Sequence, residues 1–115
     1  RSRGLGDVYK RQIQDGEARL HIFPLPSSHA KGCVALEVND EWCFLGDALY
    51  SMQKCGHNLY NAGILKDEIN VLQNIKAEKF MLSHRTPFEK PKGIIMRWLG
   101  EIYDRRVKGE VYIEI

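Results

Sequence analysis

The chain has 115 residues, 43% of them hydrophobic, which is enough apolar material for a core and sets its size at one domain or part of one. Its 17 basic and 15 acidic residues leave a formal charge of +2, too small an excess to argue for nucleic acid or an anionic membrane. No apolar run reaches the roughly 18 residues of a membrane-spanning helix, and Cys33, Cys43 and Cys55 lack the spacing of a redox or zinc motif, so a cytoplasmic protein with reduced thiols is expected.

The first residues stand apart from the rest. The chain opens at Arg1 with its first methionine at Met52, which reads as a partial frame, and Asp7-Val8-Tyr9-Lys10-Arg11-Gln12 looks like a translated sequencing-library adaptor. Residues 1–12 are therefore set aside as non-native, and 13–115 are taken as the folding unit. Setting them aside removes Arg1, Arg3, Lys10, Arg11 and Asp7, which leaves 13 basic against 14 acidic residues, a net charge of −1. The sequence pI near 8.5 thus belongs to that segment.

Ala18 to Phe23 alternate as a strand does, and Pro24-Leu25-Pro26 ends it. A small polar loop follows, Ser27 to Gly32. Cys33–Val38 and Trp42–Leu45 are strand-like runs joined by the turn formers Asn39, Asp40 and Glu41, a β-hairpin closed by Gly46-Asp47. Leu49 to Ala62 reads as irregular.

Leu65, Ile69, Leu72 and Ile75 share one face of a predicted helix. Lys79 to Ser83 suits a short strand buried on both faces, with His84 at its C-terminal end. Pro91 opens a second helix, whose stripe is Ile95, Trp98, Leu99 and Ile102. Val111–Ile115 reads as a terminal edge strand. Strand, hairpin, helix, strand, helix, strand is an α/β order, that of half a layered sandwich.

Three residues could carry chemistry together. A hairpin turning at Asp40 folds Asp47 back opposite about residue 33, and His29 lies four positions before that point. His29 and Asp47 can therefore meet although 18 residues separate them. His84 leaves a strand into a loop, where α/β sheets gather ligand-binding groups, and a parallel pairing with Trp42–Leu45 would bring it to the same side. Two imidazoles and a carboxylate suit Zn²⁺, Fe²⁺ or Mn²⁺ without a thiolate. Each also has a plain reading: a solvent-facing loop histidine, a turn cap and a strand end.

Pro26-Ser27-Ser28-His29-Ala30-Lys31-Gly32 resembles the Thr-Pro-Gly-His-Thr-Pro-Gly segment of the metallo-β-lactamase superfamily. Phe44-Leu45-Gly46-Asp47-Ala48-Leu49-Tyr50 is similar to its Phe-x-Gly-Asp-x-Leu/Phe element, and Leu82-Ser83-His84-Arg85 to its last metal histidine. The likeness covers roughly residues 13–106. It implies the C-terminal half of an αββα sandwich, with His29 on a first metal, Asp47 bridging two and His84 on the second. It also implies two divalent cations, zinc foremost with iron or manganese as alternatives. Hydroxide held between them would attack a small-molecule ester, thioester or lactone. His57, Tyr50 and Tyr60 are candidates for the substrate pocket.

The chain departs from that pattern in three places. Ser27-Ser28 replace Pro-Gly, Arg85 replaces a glycine, and the superfamily's His-x-His-x-Asp-His motif is missing from residues 13–115. Three ligands cannot satisfy two metals, so this chain by itself is expected to be inactive and to expose the sheet face that the other half would cover. Two rivals stand beside this reading. One is a metal-free member of the fold used for binding or assembly. The other is a calcineurin-type phosphoesterase, whose Gly-Asp is followed by a further Asp and a Gly-Asn-His that this chain does not supply.

Overall fold

The computed structural model describes residues 11–15, 18–84 and 86–115, with side chains described over 19–83 and 88–115. Most of the segment set aside as adaptor-like, residues 1–10, lies outside the described residues. Arg11 and Gln12 do not, because their backbone pairs with Ile22 and His21.

The main sheet holds six strands: β1 (Arg11–Asp15), β2 (Ala18–Pro24), β3 (Val34–Val38), β4 (Trp42–Gly46), β7 (Lys79–His84) and β8 (Thr86–Pro91), adjacent in that order. A second sheet holds β5 (Met52–Lys54), β6 (His57–Asn61) and β9 (Tyr112–Glu114). Helix α1 spans Ala62–Gln73 and α2 spans Lys92–Tyr103. The fold is mixed α/β, as the element order implies.

The β3–β4 hairpin has the expected register, with Leu36 opposite Phe44 and Val38 opposite Trp42. Asn39 and Asp40 adopt φ of 54° and 56°, a left-handed conformation that these two residue types tolerate best. Asn39 also ties the turn to β2: its Oδ1 accepts from the Arg19 N–H at 2.7 Å, while Asp40 pairs with the Arg19 guanidinium at 2.9 Å. Strand β7 runs parallel to β4, with Cys43 beside Phe80 and Phe44 beside Met81.

Two sequence expectations change. Leu49–Ala62 is not irregular, because Met52 and Leu59 face each other across the β5–β6 hairpin, whose turn places Cys55 and Gly56 at φ of 52° and 82°. Residues 86–91 form an unforeseen strand, so Pro91 is the N-cap of α2 and not its first turn. The terminal strand is an edge strand as expected, and it belongs to the small sheet.

One face of the main sheet supplies the core. Ala35, Cys43, Leu45, Phe80 and Leu82 are buried there together with Leu65 and Leu72 of α1 and Ile95, Leu99 and Ile102 of α2. The opposite face remains partly bare among the described residues. Val34 and Phe44 are 47% and 40% exposed, and Leu36, Trp42 and Met81 are half-buried. Burial of β7 is therefore one-sided: Phe80 and Leu82 are enclosed and Met81 is not.

Two carboxylates lie inside. Glu37 accepts the backbone N–H groups of Lys76 and Ala77 at 3.0 and 2.8 Å, fastening the loop between α1 and β7 to β3. Glu68, on the inner face of α1, is 1% exposed, and its Oε2 has no hydrogen-bond partner. Burial pushes its carboxyl up to about 9, so it stays protonated at neutral pH. Burial, and secondly the charge of Glu37, lifts the Cys43 thiol to about 12, which suits a core thiol and not a nucleophile.

Candidate metal centre

Backbone topology brings the three proposed ligand positions to one end of the main sheet. Strand β3 begins where its antiparallel neighbour β4 ends, so the loop of residues 25–33 and the turn after Gly46 adjoin. Because β7 is parallel to β4 and Leu82 pairs with Gly46, His84 leaves the sheet at that same end. The His84 side chain lies outside the described residues.

Local chemistry fixes the His29 loop. The Leu25 N–H donates to the Cys33 carbonyl at 2.9 Å and closes it. Ser27 Oγ donates to the Ala48 carbonyl at 2.6 Å, just past Asp47, and accepts the His29 N–H at 3.1 Å. Ser28 Oγ, nearly buried, accepts the Asn61 N–H at 2.9 Å. The two serines that depart from Pro-Gly are thus latches, joining this loop to the turn after β4 and to the start of α1. Their signal in the sequence was hydroxyl side chains beside a turn, where they bond backbone groups readily.

His29 Nδ1 stands 3.1 Å from the Ser51 carbonyl oxygen. A carbonyl can only accept, so Nδ1 carries a proton here, and in the neutral ring the lone pair is on Nε2. An imidazole oriented by a backbone carbonyl in this way is set up to donate to a cation. Asp47 follows Gly46, whose φ of +58° is a backbone conformation costly for a residue with a Cβ. The turn beyond is held by the Ala48 N–H on the Leu45 carbonyl and the Tyr50 N–H on the Asp47 carbonyl, each at 3.1 Å.

His29 and Asp47 line one cavity of about 450 Å³, shared with Tyr50, Ser51, Gln53 and Asn58. Burial first, and then the Asp47 charge, raises the Tyr50 phenol, so it remains a protonated hydroxyl.

The other two pocket candidates are placed elsewhere. Tyr60 is in the core with its hydroxyl donating to the Leu49 carbonyl at 2.8 Å. Burial, then the nearby Glu68 and Tyr50, raises its phenol further. His57 is exposed on β6 and donates from Nδ1 to Glu114 on β9 at 2.5 Å. Its neighbour Asn58 lines the cavity instead, which the strand alternation of β6 explains.

A nitrogen donor and a carboxylate in one cavity fit a borderline cation such as zinc in chemistry and fall short in number. Among the described residues no group of three or more His, Cys, Asp or Glu is placed to hold a metal. A catalytic zinc takes three protein ligands, so His29 and Asp47 need at least one more donor. The chain matches no family model, no curated protein and no solved structure.

Proposed function

We propose that this chain is the C-terminal part of a metal-dependent hydrolase of the metallo-β-lactamase superfamily. In this reading His29, Asp47 and His84 are its contribution to a two-metal site. The observation that carries the proposal is the shared cavity of His29 and Asp47, with the His29 tautomer set by Ser51. When bound, divalent cations would polarise a substrate carbonyl and acidify water towards neutrality. In this chain Ser51 orients His29, Ser27 couples the histidine loop to the turn bearing Asp47, and Asn58 and Gln53 offer hydrogen bonds to a polar substrate head. Esters, thioesters and lactones are the substrates that such a site would hydrolyse.

The ligand deficit sets the expectation for the chain alone. It should show no hydrolase activity and should bind Zn²⁺ weakly, with a dissociation constant in the micromolar range or above. His29→Ala and Asp47→Asn should each weaken that binding at least tenfold. Isothermal titration with zinc at pH 7 measures both. Nanomolar binding would contradict the incomplete site, and binding indifferent to both substitutions would remove these residues from it. A second reading, a metal-free assembly module, equally leaves the bare apolar face of the main sheet for a partner to cover. No zinc response at any concentration would select it.

A further inference from the structure

A second groove begins where the metal cavity ends. Tyr50 is a wall of the cavity holding His29 and Asp47 and also of a separate space of about 310 Å³ between β8 and α2. The two differ sharply in character. The first is lined by His29, Asp47, Ser51 and Asn58; the second is walled by Leu82, Phe88, Ile94, Ile95 and Trp98. Trp98 meets Tyr50 edge-on with ring centroids 6.2 Å apart, so the two rings form the threshold between the spaces.

Two large apolar side chains of the groove stand in water, Phe88 at 37% and Ile94 at 46% exposure. Covering them is favourable, and an apolar pocket next to a few polar groups is the usual form of a small-molecule site. Register gives the direction. Leu82 pairs with Phe88 and Phe80 with Lys90, so the groove runs from the ligand end of the sheet down the β8 edge by about two residues, roughly 7 Å. Among the described residues the one charged side chain lining it is Lys90, and none is a carboxylate. That charge pattern favours a neutral chain over a cationic one.

We infer that this groove receives the acyl chain of the substrate, with the scissile carbonyl lying across Tyr50 at the His29 and Asp47 cavity. The ligand class is a neutral ester, thioester or lactone with an apolar chain of medium length. Short acyl groups would leave the groove empty. This inference rests on the hydrolase reading for the carbonyl end, whereas the groove itself is defined without any metal.

The test is binding, since the chain alone is expected to be inactive. The chain has two tryptophans, so Trp42→Phe leaves Trp98 as the only indole reporter. Methyl hexanoate should shift the Trp98 emission saturably, and methyl acetate should require at least a tenfold higher concentration. Ile94→Asp, at an exposed position, should weaken methyl hexanoate at least tenfold, while Val107→Asp, exposed and outside the groove, should leave it unchanged. Equal response to both esters, or an unaltered response in Ile94→Asp, overturns the inference. Zinc titration of the parent chain separates the two claims. Ester binding without any zinc response keeps the groove and removes the hydrolase reading, whereas zinc binding without ester binding does the reverse.

Discussion

Replacing Glu37 by alanine is expected to cost about 3 kcal/mol of folding stability, since a buried carboxylate that accepts two backbone N–H bonds leaves both donors without a partner when it is removed. The geometry makes the effect large. Glu37 is 4% exposed, its Oε2 takes the Lys76 and Ala77 N–H groups, and Oε1 lies 3.5 Å from His21 Nδ1. Water has little access to Ala77, which is fully buried, so no solvent acceptor replaces the lost one. Urea denaturation measures the loss, and hydrogen exchange locates it: the amides of residues 76 and 77 should exchange much faster in the variant. Glu37→Gln keeps one acceptor oxygen and should recover part of the stability. A Glu37→Ala chain of unchanged midpoint would show that the loop is held by other means.

Glu68→Gln is expected to stabilise the protein, and to do so more strongly as the pH rises. The folded carboxyl titrates near 9 and the unfolded one near its ordinary 4.5. Between those values the folded state holds a proton that the unfolded chain has released. Stability therefore falls with rising pH through this window, by about 1.4 kcal/mol per unit at most, and levels off beyond the folded value. At pH 7 the accumulated loss is about 3 kcal/mol. Glutamine cannot ionise and keeps the shape, so the gap between variant and parent should be small at pH 4.5 and widen to about 2–3 kcal/mol at pH 7. A gap that does not change between pH 5 and pH 8 would mean that Glu68 is already charged in the folded state.

Glu68 also shows where the sequence was hard to read. The apolar stripe Leu65, Ile69, Leu72 and Ile75 locates α1, yet the enclosed positions are Leu65, Glu68 and Leu72, and Ile75 lies past the helix end. Periodicity counts apolar residues and is blind to a protonated acid on the inner face. The stripe of α2 was easier, because Ile95, Leu99 and Ile102 are apolar and buried alike. Turn chemistry made the β3–β4 hairpin legible down to its register, since Asn39-Asp40 mark a left-handed turn. Cys55-Gly56 marks a comparable turn less plainly, and β5 has only three residues, too few for alternation to register.

The candidate site divides in the same way. Hairpin symmetry was enough to place Asp47 near His29, because each two-residue step along one strand is matched on its neighbour. The hydrogen bonds that orient them were not foreseen. Ser27 to Ala48 and His29 to Ser51 span 21 and 22 residues and join two loops, where no periodicity operates. Tyr60 is ambiguous in the sequence for a related reason: an aromatic residue with a hydroxyl suits a pocket and a core equally, and the structure has it buried with its hydroxyl on the Leu49 carbonyl.

The half-clad main sheet has a thermodynamic consequence. With Val34 and Phe44 facing water, any species that settles on that surface binds the folded chain and not the unfolded one. Such linkage adds RT ln(1 + [L]/Kd) to the unfolding free energy, about 2.7 kcal/mol at a hundredfold excess over Kd. The melting temperature is then a property of the mixture, set by the occupant and its concentration together with the chain.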